Sequence, residues 1–399
     1  MVVAATGVGA GDLVAAAKSG ATYGLPLLWT ALLGALLKFS LAEGIARWQL
    51  ATGSTILEGW GQFVGAGVRV LFLIYLLIWS FVVAAALMSA CGMAAHALVP
   101  TLSVEVWAIL HAVAALLFVW LREYGGFESA MKWVVGLMFV CILGSAMVQR
   151  ADAASVLRGL LLPTLPVGGT VLVLGVIGGV GGTLTLLSYN YWMREKGWSG
   201  AEWAATVRVD LGIGYMLTGL FGVAVILLGG VVLLPRGIEV AGRGGVLEMA
   251  AILGESFGRP GELVFLLGFW GAVASSLLGV WQGVPYLFGD SIEMLRRPGA
   301  AAIDARRTRR SPLYRGYLLF MTFPPMLLLL LGRPVWLVVA YAALGSLFMP
   351  FLALTLLLLN NRTQMGPLRN GWLANSLLVV CVLLFLYLAG VELHSQLGR

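Results

Sequence analysis

The residues able to do chemistry in this sequence gather at two glycine clusters. The first is Gly7-Val8-Gly9-Ala10-Gly11-Asp12, and the second is Gly178-Gly179-Val180-Gly181-Gly182-Thr183. A glycine inside a helix costs about 1 kcal/mol relative to alanine. Four of them within the five residues 178–182 will not hold a regular helix, so a break is expected at each cluster. A broken helix frees main-chain carbonyls and exposes half-helix ends whose dipoles act on an ion. Asp12 stands at the first break, and a carboxylate inside an apolar segment is costly and marks function by default. Thr183, Thr185, Ser188, Tyr189 and Asn190 follow the second. Such oxygen donors suit hard cations better than soft ones. The candidate binding set is therefore Gly9, Gly11, Asp12, Gly181, Gly182, Thr183, Thr185 and Ser188, with Asp12 the candidate metal ligand. Two structural alternatives stay open: an Asp12–lysine pair that only holds helices together, and glycine clusters that are packing grooves. A dinucleotide-binding glycine motif is excluded for want of a strand and a βαβ unit.

A second set of charges lies in 38–60. Glu43 and Arg47 are four residues apart and pair on one helix face. Lys38 lies nine residues before Arg47, roughly 13 Å deeper at the helical rise. Its natural partners are Asp12 or a carbonyl of an unwound stretch, and there it is either a built-in cation or a lock between helices. Lys38, Glu43, Asp210 and Asn190 are candidates for coupling or gating. Asp210 reads equally as a helix cap or a partner of Arg208. Ser275, Ser276, Gln282 and Tyr286 are weaker cavity candidates. Trp29, Trp107, Trp192 and Trp336 read as interfacial anchors.

The elements that must position these groups are membrane spans. Of 399 residues 60% are apolar and 11% charged, and the mean hydropathy is +0.96. A water-soluble surface needs roughly a quarter charged residues, so the solvent is hydrocarbon. Eleven apolar segments are long enough to span or nearly span a bilayer, at 2–20, 24–46, 69–93, 105–121, 127–148, 169–191, 209–234, 262–288, 315–332, 335–359 and 372–391. The glycine clusters fall in the first and sixth, five spans apart. Interrupted segments at corresponding positions of two halves are the signature of an inverted-repeat transporter. Connections are short, so no soluble domain is expected, and the start carries no signal-peptide pattern.

Alternate loops hold 16 of the 25 Lys and Arg residues, and the opposite loops and the C-terminus hold eight. The positive-inside rule puts the N-terminus in the cytoplasm and the C-terminus outside, in what reads as a bacterial inner membrane. The net charge of +7 is thus a topology and lipid signal, the arginine run at 306–310 included, and no nucleic-acid partner is expected. Cys91, Cys141 and Cys381 read as core residues, and the histidines do not make a zinc site. No nucleophile–base constellation is visible, so the chain is not an enzyme, and no cofactor is expected. The partners are the bilayer and a small ion or solute; oligomeric state is left open, a monomer being compatible.

Three stretches resemble the natural resistance-associated macrophage protein (Nramp) family of proton-coupled divalent-metal transporters. They are GATYGLPLLWTALLGALLKF at 20–39, VRVDLGIGYMLTG at 207–219, and MPFLALTLLLLNNRTQMGPLRNGWL at 349–373. The resemblance implies an all-α membrane protein of LeuT type: two inverted five-span repeats, 1–148 and 169–359, and an eleventh span at 372–391. It also marks where this chain diverges. The family's first-span Asp-Pro-Gly-Asn falls on Gly9-Ala10-Gly11-Asp12, and its sixth-span Met-Pro-His falls on Gly182-Thr183-Leu184. Its tenth-span glutamine falls on Ala342, the acids expected in span 3 are missing from 79–95, and only eight residues precede Gly9. The soft sulfur ligand and the histidine tied to proton coupling are therefore missing. The expectation is a secondary transporter of a cation, a divalent metal first, with proton coupling open. The alternatives are a transporter of a small organic or zwitterionic solute on the same fold, and a non-transporting membrane sensor.

Overall fold

Helix is the regular structure of the described residues, because a backbone in hydrocarbon must satisfy its own hydrogen bonds. The computed structural model describes residues 6–149, 151–238, 240, 245–296, 308–331 and 334–397. The α-helices are α1 Ala10–Tyr23, α2 Leu28–Thr52, α3 Ile56–Phe63, α4 Ala66–Leu98, α5 Val104–Leu121, α6 Tyr124–Met147 and α7 Ala153–Leu161. They continue with α8 Thr170–Gly179, α9 Ser188–Glu195, α10 Ala204–Leu228, α11 Gly245–Arg296, α12 Pro312–Thr322, α13 Pro334–Leu359 and α14 Trp372–Leu397. Eight helical stretches among the described residues are long and apolar enough to cross a membrane, and Leu347–Leu359 and Trp372–Leu388 are shorter apolar helices. Large apolar side chains such as Leu71, Trp133, Val140, Leu330 and Leu383 face outward, as they do where lipid replaces water.

The sequence boundaries hold where punctuation is strong and shift where it is weak. Gly53 ends α2 in the left-handed conformation, and Thr55 opens α3 with a capping box closed by Glu58. The segment expected at 315–332 is α12 followed by a 3-10 stretch, Pro324–Leu331. Pro324 and Pro325 there supply no N–H for an α-helix. The segment expected at 262–288 is part of α11, which begins at Gly245 and bends at Gly258, where φ is 70°. The polar residues of 245–261 hid this helix from a hydropathy reading. Arg297, Arg306 and Arg307 lie outside the described residues.

α2 and α10 form the closest helix pair, α11 packs on α6 and α4, and α13 packs on α4 and α14. α1 is enclosed by α8, α10, α11 and α13. Glu43 and Arg47 fix the far end of this core. Arg47 Nε donates to Glu43 at 2.6 Å, and its other nitrogens donate to the Leu368 carbonyl at 3.0 Å and to Asn370 at 2.8 Å. Arg208 reaches Glu43 at 3.2 Å. Glu43, expected among coupling or gating groups, is thus a tie between α2, α10 and the 363–370 turn, and Arg208 pairs with it.

Removing one partner of a buried pair leaves the other charge uncompensated. Arg47→Leu is expected to lower stability on the order of 3 kcal/mol, read as the unfolding midpoint in detergent. Combined with Glu43→Gln the loss should fall short of the two single losses added together. Additive losses would show that the two side chains act separately.

Candidate functional site

Both glycine clusters break their helices. Residues 6–7 close one helical turn, Val8 bends, Gly9 is non-helical, and α1 restarts at Ala10. In the second cluster α8 stops at Gly179, a turn runs through 180–183, and a 3-10 stretch, Leu184–Leu187, leads into α9. Gly181 and Gly182 have φ of 83° and 79°, where a Cβ would clash with its own backbone. The two breaks touch: a Cβ on Gly7 would lie 2.9 Å from the Gly181 carbonyl carbon. Gly181 also lies against the Tyr215 ring and the stem of Lys38.

The contact encloses a cavity of about 10 Å³ lined by Thr6, Gly7, Gly181, Thr185, Leu186, Tyr189, Trp192 and Tyr215. Ser276 donates to the Thr6 carbonyl at 3.2 Å, and a Cβ on Gly9 would meet Ser276 Oγ at 2.7 Å. Thr183 packs on Gly345 of α13, and Ser188 on Gly283 of α11. The hydroxyls of Thr183, Ser188 and Tyr215 are buried and have no hydrogen-bond partner among the described residues. Buried polar groups are ordinarily paired; of these three residues Tyr215 lines the cavity, which marks it as a place for a polar guest.

Lys38 lies in the same place. It is 1% exposed, and its Nζ donates to the Gly178 carbonyl at 2.8 Å and to the Gly182 carbonyl. Both acceptors are freed by the break. The Gly182 amide turns to Gly179 and the Leu186 amide to Thr183, so neither carbonyl receives its i+4 donor. Gly34, one turn before Lys38, packs against the Ile177 backbone and brings α2 close enough for the lysine to reach.

Of the expected site residues, Gly181 and Thr185 line the cavity and Gly182 lies against Thr185 and Gly7, whereas Gly9 lies on Ser276, Thr183 on Gly345 and Ser188 on Gly283. Gly11 and Asp12 fall within α1, and the side chain of Asp12 lies outside the described residues. Asn190 is spent elsewhere: it donates to the Ile45 carbonyl at 3.3 Å, and its own carbonyl accepts from Gln49 at 3.0 Å. Asp210 accepts from Tyr189 at 3.0 Å. Thr6, Gly7 and Tyr215 were not foreseen; the pairing of glycines across the two breaks was the available signal for Gly7. Trp192 is not an interfacial anchor but is buried, donating to Gln282 at 2.6 Å. Among the described residues no three His, Cys, Asp or Glu form a metal-binding group.

Beyond the cavity, α9 is clamped at its far end. Asp290 accepts from Tyr191 at 2.6 Å and from Thr55 at 3.1 Å, while Arg194 lies 3.6 Å from Glu58. A wider cavity of about 1320 Å³ opens nearby between α5, α6, α9 and α12, with Glu123, Glu128, Glu195, Lys196, Arg309 and Arg315 in its wall. Burial first, then the Asp290 carboxylate, raise the Glu58 carboxyl above its ordinary 4.5. A raised acid stabilises the fold below its ordinary value and loses that contribution as pH rises through the folded-state value. Acidification from neutral pH should therefore raise the melting midpoint of the native protein more than that of Glu58→Gln. Equal responses would remove Glu58 from the clamp.

Glycine at 181 answers two demands that a pair of variants separates. Gly53→Ala, at φ 70° with nothing within 4 Å, should cost about 1–2 kcal/mol for the left-handed backbone alone. Gly181→Ala adds a clash 2.7 Å from the Tyr215 ring and should cost substantially more in thermal stability. A similar cost at both sites would mean the Tyr215 ring is not held against Gly181.

The family model described as natural resistance-associated macrophage protein-like matches residues 1–395. Crystal structures of a manganese transporter from Eremococcus coleocola share the fold. The one with an aromatic bis-isothiourea substituted compound superposes with TM-score 0.74 at 14% identity, covering 99% of this chain and 85% of that one. A mutant of the same transporter gives 0.75 at 14% identity, with the same coverage of both chains. MhsT in complex with L-phenylalanine superposes with TM-score 0.64 at 14% identity, covering 97% and 96%. No curated protein matches the chain.

Proposed function

We propose, because the chain belongs to the Nramp family, that it is a secondary transporter moving a divalent metal ion across the membrane by alternating access. The observation that carries this reading is the meeting of the two helix breaks beside a cavity of about 10 Å³ to which four hydroxyl-bearing residues contribute. That volume takes about one water-sized body, whereas pockets for drug-sized organic ligands run to several hundred Å³. The manganese transporter of Eremococcus coleocola, alike in fold, supports the class of cargo.

The donor set favours a harder ion than the family motif does. Thr6, Thr185, Tyr189 and Tyr215 bring hydroxyls to the cavity beside Leu186 and Trp192, and no sulfur or imidazole joins them among the described residues. Oxygen-only sites suit magnesium, calcium and manganese. Asp12, at the start of α1, supplies the carboxylate in this proposal. The halves 1–148 and 169–359 are inverted repeats that each contribute one broken helix to the site, with Trp372–Leu397 outside them. The arginine-rich end faces the cytoplasm, with the N-terminus on that side and the C-terminus opposite. The ion leaves past Tyr189 and Asp210 toward the wider cavity at the end of α9. The reading needs only one chain.

A second reading, transport of an organic or zwitterionic solute, draws on Lys38, whose ammonium sits at the second break and repels a bare divalent cation. Uptake into proteoliposomes decides between them. Manganese, magnesium or calcium should accumulate, with a trapped pH dye showing whether protons follow. If none enters, and calorimetry detects no metal binding to the purified protein, the metal reading falls. Asp12→Ala should abolish calorimetric binding; unchanged affinity would make Asp12 a structural residue.

A further inference from the structure

We infer that Lys38 is a tethered substitute for a coupling alkali cation, holding by covalent attachment a position that a soluble ion would otherwise fill. The inference rests on the breaks being the transport site, and it extends that reading to what drives the cycle. Gly178 and Gly182 each lose the i+4 amide that would satisfy their carbonyls, and the Lys38 ammonium binds both. Unwound carbonyls together with a half-helix C-terminus are the elements that bind a coupling cation in broken-helix transporters. Here α8 ends at Gly179, so about half a negative elementary charge of helix dipole lies at the same spot. Two carbonyl oxygens and a dipole end make a binding site for a monovalent cation.

The lysine is built into that position. Lys38 is buried along its length, its stem lies against Gly181, and Gly34 lets α2 approach the Ile177 backbone one turn away. A lysine that merely extended toward a membrane surface would carry its ammonium away from the core; this one carries it inward to the break. A cation that cannot leave cannot be exchanged between the two sides of the membrane. The transporter therefore needs no sodium or potassium ion at this position.

Melting of the purified protein in detergent, at constant ionic strength with choline as the inert replacement, tests this directly. Wild-type protein should melt at the same temperature in sodium, potassium, methylammonium or choline. Lys38→Ala should melt lower in choline, and sodium, potassium or methylammonium should recover most of the loss saturably. Lys38→Arg should keep a higher midpoint than Lys38→Ala in choline. A saturable rise of the wild-type midpoint with sodium or potassium would overturn the inference, and this arm stands even where the alanine variant does not fold. A folded Lys38→Ala that no monovalent cation stabilises would overturn it too. None of these measurements uses a divalent metal, so the inference and the cargo can fail separately.

Discussion

Two main chains touch at Gly7 and Gly181, and that contact governs the rest of the molecule. A Cβ on Gly7 would run into the Gly181 backbone, while Gly181 must be glycine for its positive φ and for the Tyr215 ring against it. Once both helices are interrupted at one depth, their unpaired groups must be satisfied inside the protein, because lipid supplies no partners. α2, α10, α11 and α13 answer that demand by packing around the breaks. Ser276 bonds the Thr6 carbonyl, Lys38 bonds Gly178 and Gly182, and small residues such as Gly283 and Gly345 make room for Ser188 and Thr183.

The chemistry of the cavity follows from that arrangement. Among the described residues the cavity wall offers hydroxyls and no soft donor with which to prefer one transition metal over another. Its selectivity comes from size and from how much water a guest must shed. The ammonium of Lys38 and the end of α8 offset one another. Family membership and an unusual donor set are thus compatible: the scaffold sets where an ion is handled, and the local side chains set which one.

Much of the fold was legible in the sequence because the signals were strong and local. Long apolar runs bounded by charge marked the spans, and glycine density marked both breaks. Counting helical rise placed Lys38 beside Asp12 or a carbonyl of an unwound stretch, and two such carbonyls accept from it. What escaped depended on tertiary placement. Tyr215 reads as one more aromatic in an apolar helix, and only the crossing of α10 past Gly181 brings it to the cavity. Trp192 looks interfacial by its position in the chain, yet the break shortens α9 and turns its indole onto Gln282. Asn190, beside polar neighbours, spends its amide on α2. Glu58 and Asp290 are 232 residues apart in sequence, and nothing local announces that they meet. The helical start of α11 was missed because its residues are amphiphilic and interrupted at Gly258.

The ties between α2 and the sixth span have a mechanical consequence. Lys38 fastens α2 to the end of α8, and Gln49 with Asn190 fastens the same helix to α9. Both sides of the second break are thereby riveted to one rod. The first break is fastened differently: across the Gly7–Gly181 contact it presents bare backbone, with no side chain to interlock. Such a surface is a plain bearing. Relative movement of the two breaks would meet no side chain at that contact, whereas α2 and the two half-helices are tied to move together.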